Sequence, residues 1–137
     1  MIRHSLVVVF LLVSSRSLSA KEIRVPENYK TIQAAIDAAE TGDTVFVKAG
    51  TYHERLRLKD RVTLRSEGDD QKGKLGLMRA EVTIIDGRGV QGEGPGVAMA
   101  EGSTLDGFTV TNVGAYDDAE WNKHHATQGN EQSHEHI

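Results

Sequence analysis

Short β-branched segments recur about every twenty residues in this chain, with no hairpin signal between them. Val45, Thr63 and Thr83 stand 18 and 20 residues apart, and Leu105 follows 22 residues after Thr83. Val62-Thr63-Leu64 and Val82-Thr83-Ile84 are near copies. The strand candidates are Thr44–Val47, Leu56–Leu58, Val62–Arg65, Val82–Asp86, Val97–Met99 and Ser103–Thr111, bounded by Gly, Asp or Asn. No Asn-Gly turn joins them into hairpins. No second amphipathic helix intervenes, which excludes ordinary βαβ crossovers. What remains is a coil in which each strand stacks on its equivalent one turn later. Drifting turn lengths fit such a coil, because extra residues leave it as loops; the longest is Glu67 to Gly76. A β-sandwich, the other home for short strands, wants strong hairpin turns.

One helix precedes the strands. Ile32, Ala35, Ile36 and Ala39 fall at i, i+3, i+4 and i+7, a single narrow apolar stripe. Thr31 is placed to N-cap it, and Gly42 supplies a stop signal after it. Small side chains on the stripe predict close packing on something flat.

The first twenty residues differ in composition from the rest. A basic start (Arg3, His4), the apolar run Leu6 to Val13 and the polar stretch ending at Ala20 describe a secretory signal peptide. The run is far short of the ~20 apolar residues that a membrane span needs. Leu18 fits poorly three residues before a cut after Ala20, whereas Ser17 fits a cut after Ser19. The expected location is secreted, periplasmic or cell-surface, with no membrane contact after cleavage. Removing residues 1–20 takes Arg3 and Arg16 and leaves 14 Lys and Arg against 20 Asp and Glu. That acidic balance argues against nucleic acid, which demands a basic patch. The chain has no cysteine, so its stability must come from packing.

The stretch from Thr31 to Gly68, TIQAAIDAAETGDTVFVKAGTYHERLRLKDRVTLRSEG, resembles the N-terminal cap and first rungs of the pectin-lyase-like superfamily. Within it VKAGTYHE is similar to the opening of pectin methylesterases and of other exported bacterial β-helix proteins. IIDGRG and STLDGFTVTN resemble ordinary later rungs, and the likeness covers about Ile23 to Asn112. It implies an all-β fold, a right-handed parallel β-helix (solenoid) with a short N-terminal capping α-helix. An apolar end without a neighbour needs such a cover. Four domains of sequence follow: residues 1–20 as signal peptide, 21–43 as extended segment and cap, 44–115 as rungs, and 116–137 as polar tail.

The resemblance implies polysaccharide as the partner, with calcium as a cofactor in a longer parent of the lyase type. No segment matches the catalytic motifs of those families, so no catalytic residue is carried over. Several groups of residues have the chemistry for a site. His124, His125, His134 and His136, with Glu131 and Glu135, can bind a transition metal, although HH and HEH lack a fixed spacing and read as a solvated tail. Asp117 and Asp118, with Glu120, offer oxygen ligands suited to calcium, and a solvated loop is the plainer reading. Asp69 and Asp70 form a lesser acidic pair. Arg55, Arg57, Lys59 and Arg61 alternate beside a strand, as on a charged outer face or one that meets acidic polysaccharide. Tyr116 and Trp121 flank the acidic cluster as aromatic rings for stacking on sugars, or for packing under a loop.

A solenoid needs caps at both ends, and the chain stops at Ile137 in polar material. The expectation is therefore the N-terminal fragment of a longer β-helix protein. Its parent is read as a polysaccharide-active lyase, hydrolase or esterase; the alternatives are a non-catalytic glycan- or metal-binding β-helix and an inactive remnant.

Overall fold

A computed structural model describes residues 19–92 and 94–114. Strand β1 (Glu22–Val25) leads into helix α1 (Ile32–Ala38). Then come β2 (Thr44–Val47), β3 (Gly50–Tyr52), β4 (Leu56–Arg57) and β5 (Thr63–Ser66). A short helix, α2 (Met78–Val82), precedes β6 (Thr83–Asp86), β7 (Val97–Ala98), β8 (Thr104–Asp106) and β9 (Thr109–Thr111). The signal-peptide segment up to Leu18 and the tail from Ala115 lie outside the described residues. No helix among the described residues is long and apolar enough to cross a membrane.

The strands form three sheets, and every strand pairing is parallel. Sheet A has the order β1-β2-β5-β8, sheet B the order β3-β6-β9, and sheet C pairs β4 with β7. From β2 onward the chain visits A, B and C in turn and then returns to A. In sheet A, Thr44 stands opposite Thr63 and Thr63 opposite Thr104.

Alternation sorts the side chains. Ile23, Val25, Val45, Val47 and Leu64 are buried, while the intervening Arg24, Phe46 and Arg65 are half-exposed. Leu56, Leu58, Val62 and Ile85 complete the core between the sheets. Each fully buried Leu, Ile or Val contributes about 1.5–3 kcal/mol by leaving water.

Helix α1 lies against β1, β2 and β4. Ile32, Ala35, Ile36 and Ala39 are fully buried, as the stripe predicts. Its free backbone groups find partners far along the chain. Thr31 Oγ1 accepts from the Ala34 N–H at 3.2 Å, and the Glu54 carboxylate accepts from Ile32 at 2.9 Å and Gln33 at 3.0 Å. Lys59 Nζ donates to the Asp37 and Ala39 carbonyls at 3.0 and 2.6 Å. Gln33 pairs with the edge strand β4: its Oε1 accepts from the Arg57 N–H at 2.8 Å, and its Nε2 donates to the Arg57 carbonyl at 3.2 Å. The helix thereby covers an edge that would otherwise be open.

Four expectations need correction. Gly42 is not the helix stop. Ala39 is the C-cap, in extended backbone, and Gly42 sits in the next turn at φ 92°. A second helix does exist, although at five residues it is a loop feature of the 67–82 segment and no crossover. The near copies VTL and VTI do not stack. Thr83 pairs with Gly50 in sheet B, and its side chain is buried where that of Thr63 faces out. The two triplets lie in different sheets, where like letters put opposite residues inside. Finally, Ser103–Thr111 is two strands in two sheets, bent at Gly107, whose φ of 81° suits glycine.

Candidate functional site

The outer face of sheet A gathers the most side-chain chemistry among the described residues. Strand register builds two columns on it. Thr44, Thr63 and Thr104 form one, and Arg24, Phe46, Arg65 and Asp106 form the other. The Arg24 guanidinium lies 5.2 Å from the centre of the Phe46 ring, a cation–π contact. It also pairs with Glu67 at 2.8 Å and Glu22 at 3.2 Å.

The 67–82 segment forms a wall beside this face. Arg79, from α2, is only 4% exposed and pins the segment down. Its Nε donates to Asp70 Oδ1 at 2.8 Å and its Nη2 to Asp106 Oδ1 at 2.6 Å. Its Nη1 donates to Ser66 Oγ and the Asp106 carbonyl, both at 3.0 Å. Arg65 closes the network on Asp106 Oδ2 and reaches Asp70 at 3.3 Å. Gly107 makes the approach feasible, because a Cβ there would collide with the Arg79 guanidinium. The hydrogen bond from Arg79 holds the Asp70 carboxyl below the usual carboxylate range. The arrangement binds charge to charge and keeps Asp70 ionised.

A smaller group stands at the end of sheet B. Asp86 Oδ1 accepts from the Arg88 N–H at 2.9 Å and from Asn112 Nδ2 at 2.8 Å. These bonds, the backbone one foremost, lower its pKa. Its Oδ2 lies 3.9 Å from Nδ1 of His53, whose side chain is mostly exposed. Asn112 holds a left-handed backbone at φ 54°, which Asn tolerates.

The residues singled out in the sequence fare differently. Asp69 and Asp70 lie on the wall of the sheet A face, with Asp70 inside the Arg79 network. The alternating cations fare unequally: Arg57 is exposed and meets Gln33 through its backbone. Arg55 is spent on the Val90, Gly94 and Val113 carbonyls at 3.4, 2.8 and 3.0 Å, and Lys59 on the end of α1. Arg61 has φ 55° and exchanges backbone hydrogen bonds in its turn. Tyr116, Asp117, Asp118, Trp121, His124, His125, His134 and His136 lie outside the described residues. No group of three or more His, Cys, Asp or Glu placed to hold a metal occurs among the described residues.

Sequence reasoning missed Arg79, Asp106, His53 and Asp86. Asp86-Gly87 and Asp106-Gly107 are a repeated signal at strand ends that could have marked two of them. No family model matches the chain, and no curated protein or solved structure matches it.

Proposed function

We propose that this chain is an exported, right-handed parallel β-helix of the pectin-lyase-like kind, and that it holds polysaccharide on the outer face of sheet A. The observation that carries the binding role is the in-register column Thr44, Thr63, Thr104. A polymer laid across the strands meets an equivalent hydroxyl at each strand, about 4.8 Å further on. The neighbouring column adds the stacked Arg24 and Phe46 side chains, and the 67–82 wall bounds the face. Support for a β-helix comes from the cyclic A-B-C order of parallel strands and from α1 on their N-terminal edge. Support for export comes from the composition of residues 1–20, a basic start, an apolar run and a polar stretch ending at Ala20.

Holding suits this face better than cutting. Acid–base cleavage needs an acid and a base that are both free to move a proton. Asp70 is kept ionised by Arg79.

The double variant Thr63→Val/Thr104→Val tests the reading, because valine keeps the shape and β preference while removing both hydroxyls. Affinity electrophoresis in gels containing polysaccharide should show retardation of the wild type and about tenfold weaker retention of the variant, the loss of about 1.4 kcal/mol. Equal retention, with equal melting temperatures, rules out the Thr column as the contact.

A further inference from the structure

Residues 71–78 fold into a small hairpin of their own. The Met78 N–H donates to the Gln71 carbonyl at 2.9 Å, Lys72 and Leu77 bridge antiparallel, and the Gly73 N–H donates to the Gly76 carbonyl at 2.6 Å. Lys74 and Leu75 therefore form the turn. Glu81 fixes it, its carboxylate accepting from the Leu75 N–H at 2.6 Å and the Gly76 N–H at 2.9 Å. These bonds, that from Leu75 foremost, hold the Glu81 carboxyl below the usual carboxylate range. Glycine at 73 lets the carboxylate in, since a Cβ there would collide with it.

A turn held this firmly presents Leu75 at 95% exposure, the most open large apolar side chain among the described residues. Met78 and Val82, neighbours at i and i+4 on α2, are 44% and 49% exposed. Single exposed apolar residues are ordinary, whereas three within eight residues are a concentration that calls for a partner. The charge beside them is cationic. Lys72 and Lys74 are exposed and form no ion pair among the described residues. Most carboxylates of the segment are engaged: Glu67 with Arg24, Asp70 with Arg79 and Arg65, and Glu81 with the turn. Asp69, which accepts from Gln71 Nε2 at 2.8 Å, is left against two lysines.

We infer that the 72–82 tip docks on an anionic lipid surface, with Leu75 entering the interface and Lys72 and Lys74 meeting the headgroups. Apolar side chains flanked by lysines suit the boundary between acyl chains and anionic headgroups, whose surface potential draws each lysine in. Three apolar side chains are far fewer than the roughly 20–30 residues a side of a standard protein interface. A lipid surface needs no such area, and an already ordered turn loses little freedom on docking. The docking is independent of the glycan reading of sheet A, and it is contact with a membrane rather than a span.

The chain has no cysteine, so one introduced residue carries a label uniquely. A Cβ at Gly76 meets open space, and Gly76→Cys therefore places a polarity-sensitive fluorophore beside Leu75 without strain. The labelled full chain is titrated with vesicles of phosphatidylglycerol or of phosphatidylcholine. Emission should shift to the blue with phosphatidylglycerol, and about tenfold more phosphatidylcholine should be needed for the same shift. Leu75→Ser in the labelled chain should raise the phosphatidylglycerol needed about tenfold. Lys72→Gln/Lys74→Gln should abolish the preference between the lipids, with the melting temperature unchanged in both variants. Vesicle binding with unshifted emission would assign the contact to residues 1–20 and overturn the docking, as would a shift that Leu75→Ser leaves intact. A blue shift that grows with protein concentration in the absence of lipid would make a second copy the occupant and overturn it equally.

Discussion

Thr83 is fully buried at the start of β6, and its hydroxyl has no hydrogen-bond partner among the described residues. A buried hydroxyl without a partner costs about 1–3 kcal/mol, and valine offers the same shape without it. Thr83→Val should therefore raise stability by about 1 kcal/mol in urea unfolding; a lower midpoint would mean that the hydroxyl has a partner. Asp43 is the opposite case, a buried carboxylate whose oxygens are both used. It accepts from the Lys21 and Glu40 N–H groups, each at 2.8 Å, and these bonds, that from Glu40 foremost, hold its pKa below the usual range. A carboxyl with a depressed folded pKa stabilises above its unfolded value and loses that contribution as pH falls through the folded one. Asp43→Asn should be less stable by about 1–2 kcal/mol at pH 7. The gap between it and the wild type should close as pH drops below about 4. A gap that is constant from pH 7 to pH 2.5 would show that the charge of Asp43 does not matter.

At the scale of elements, α1 shows how local and distant signals combine. Its stripe and its Thr31 cap were legible, because period and capping are local properties of the sequence. Glu54, Lys59 and Gln33, which fasten it to the strand-bearing part of the chain, were not, because their partners are settled only once strand register is fixed. Ile36→Asp tests the packing. An unpaired carboxylate on that face should cost several kcal/mol and unfold or aggregate the chain; a soluble variant with an unchanged melting temperature would mean that α1 covers nothing. Strands β2 and β5 were legible for the same reason as the stripe. Strand β3 was missed, since Gly50-Thr51-Tyr52 has too little apolar character to announce itself. The 67–82 segment hid a second difficulty. It separates β5 from β6 by a helix, and so aligned Val62-Thr63-Leu64 with Val82-Thr83-Ile84 out of phase.

For the molecule as a whole, the interval of about twenty residues pointed to parallel stacking, and all six strand pairings are parallel. The interval was read against one column, while the chain distributes its strands over three sheets. The candidate site was less legible than the fold. Arg65, Asp70, Arg79 and Asp106 are separated in sequence and meet only through register, and their chemistry gives no motif. The binding face on sheet A is the central claim, and amide chemical-shift mapping during titration with a methyl-esterified oligogalacturonide tests it most directly. The predicted result is that shifts concentrate at Thr44, Phe46, Thr63, Arg65 and Thr104, with sheets B and C unmoved. Shifts confined to Tyr52, His53, Asp86 and Asn112, or no shifts at all, would contradict it.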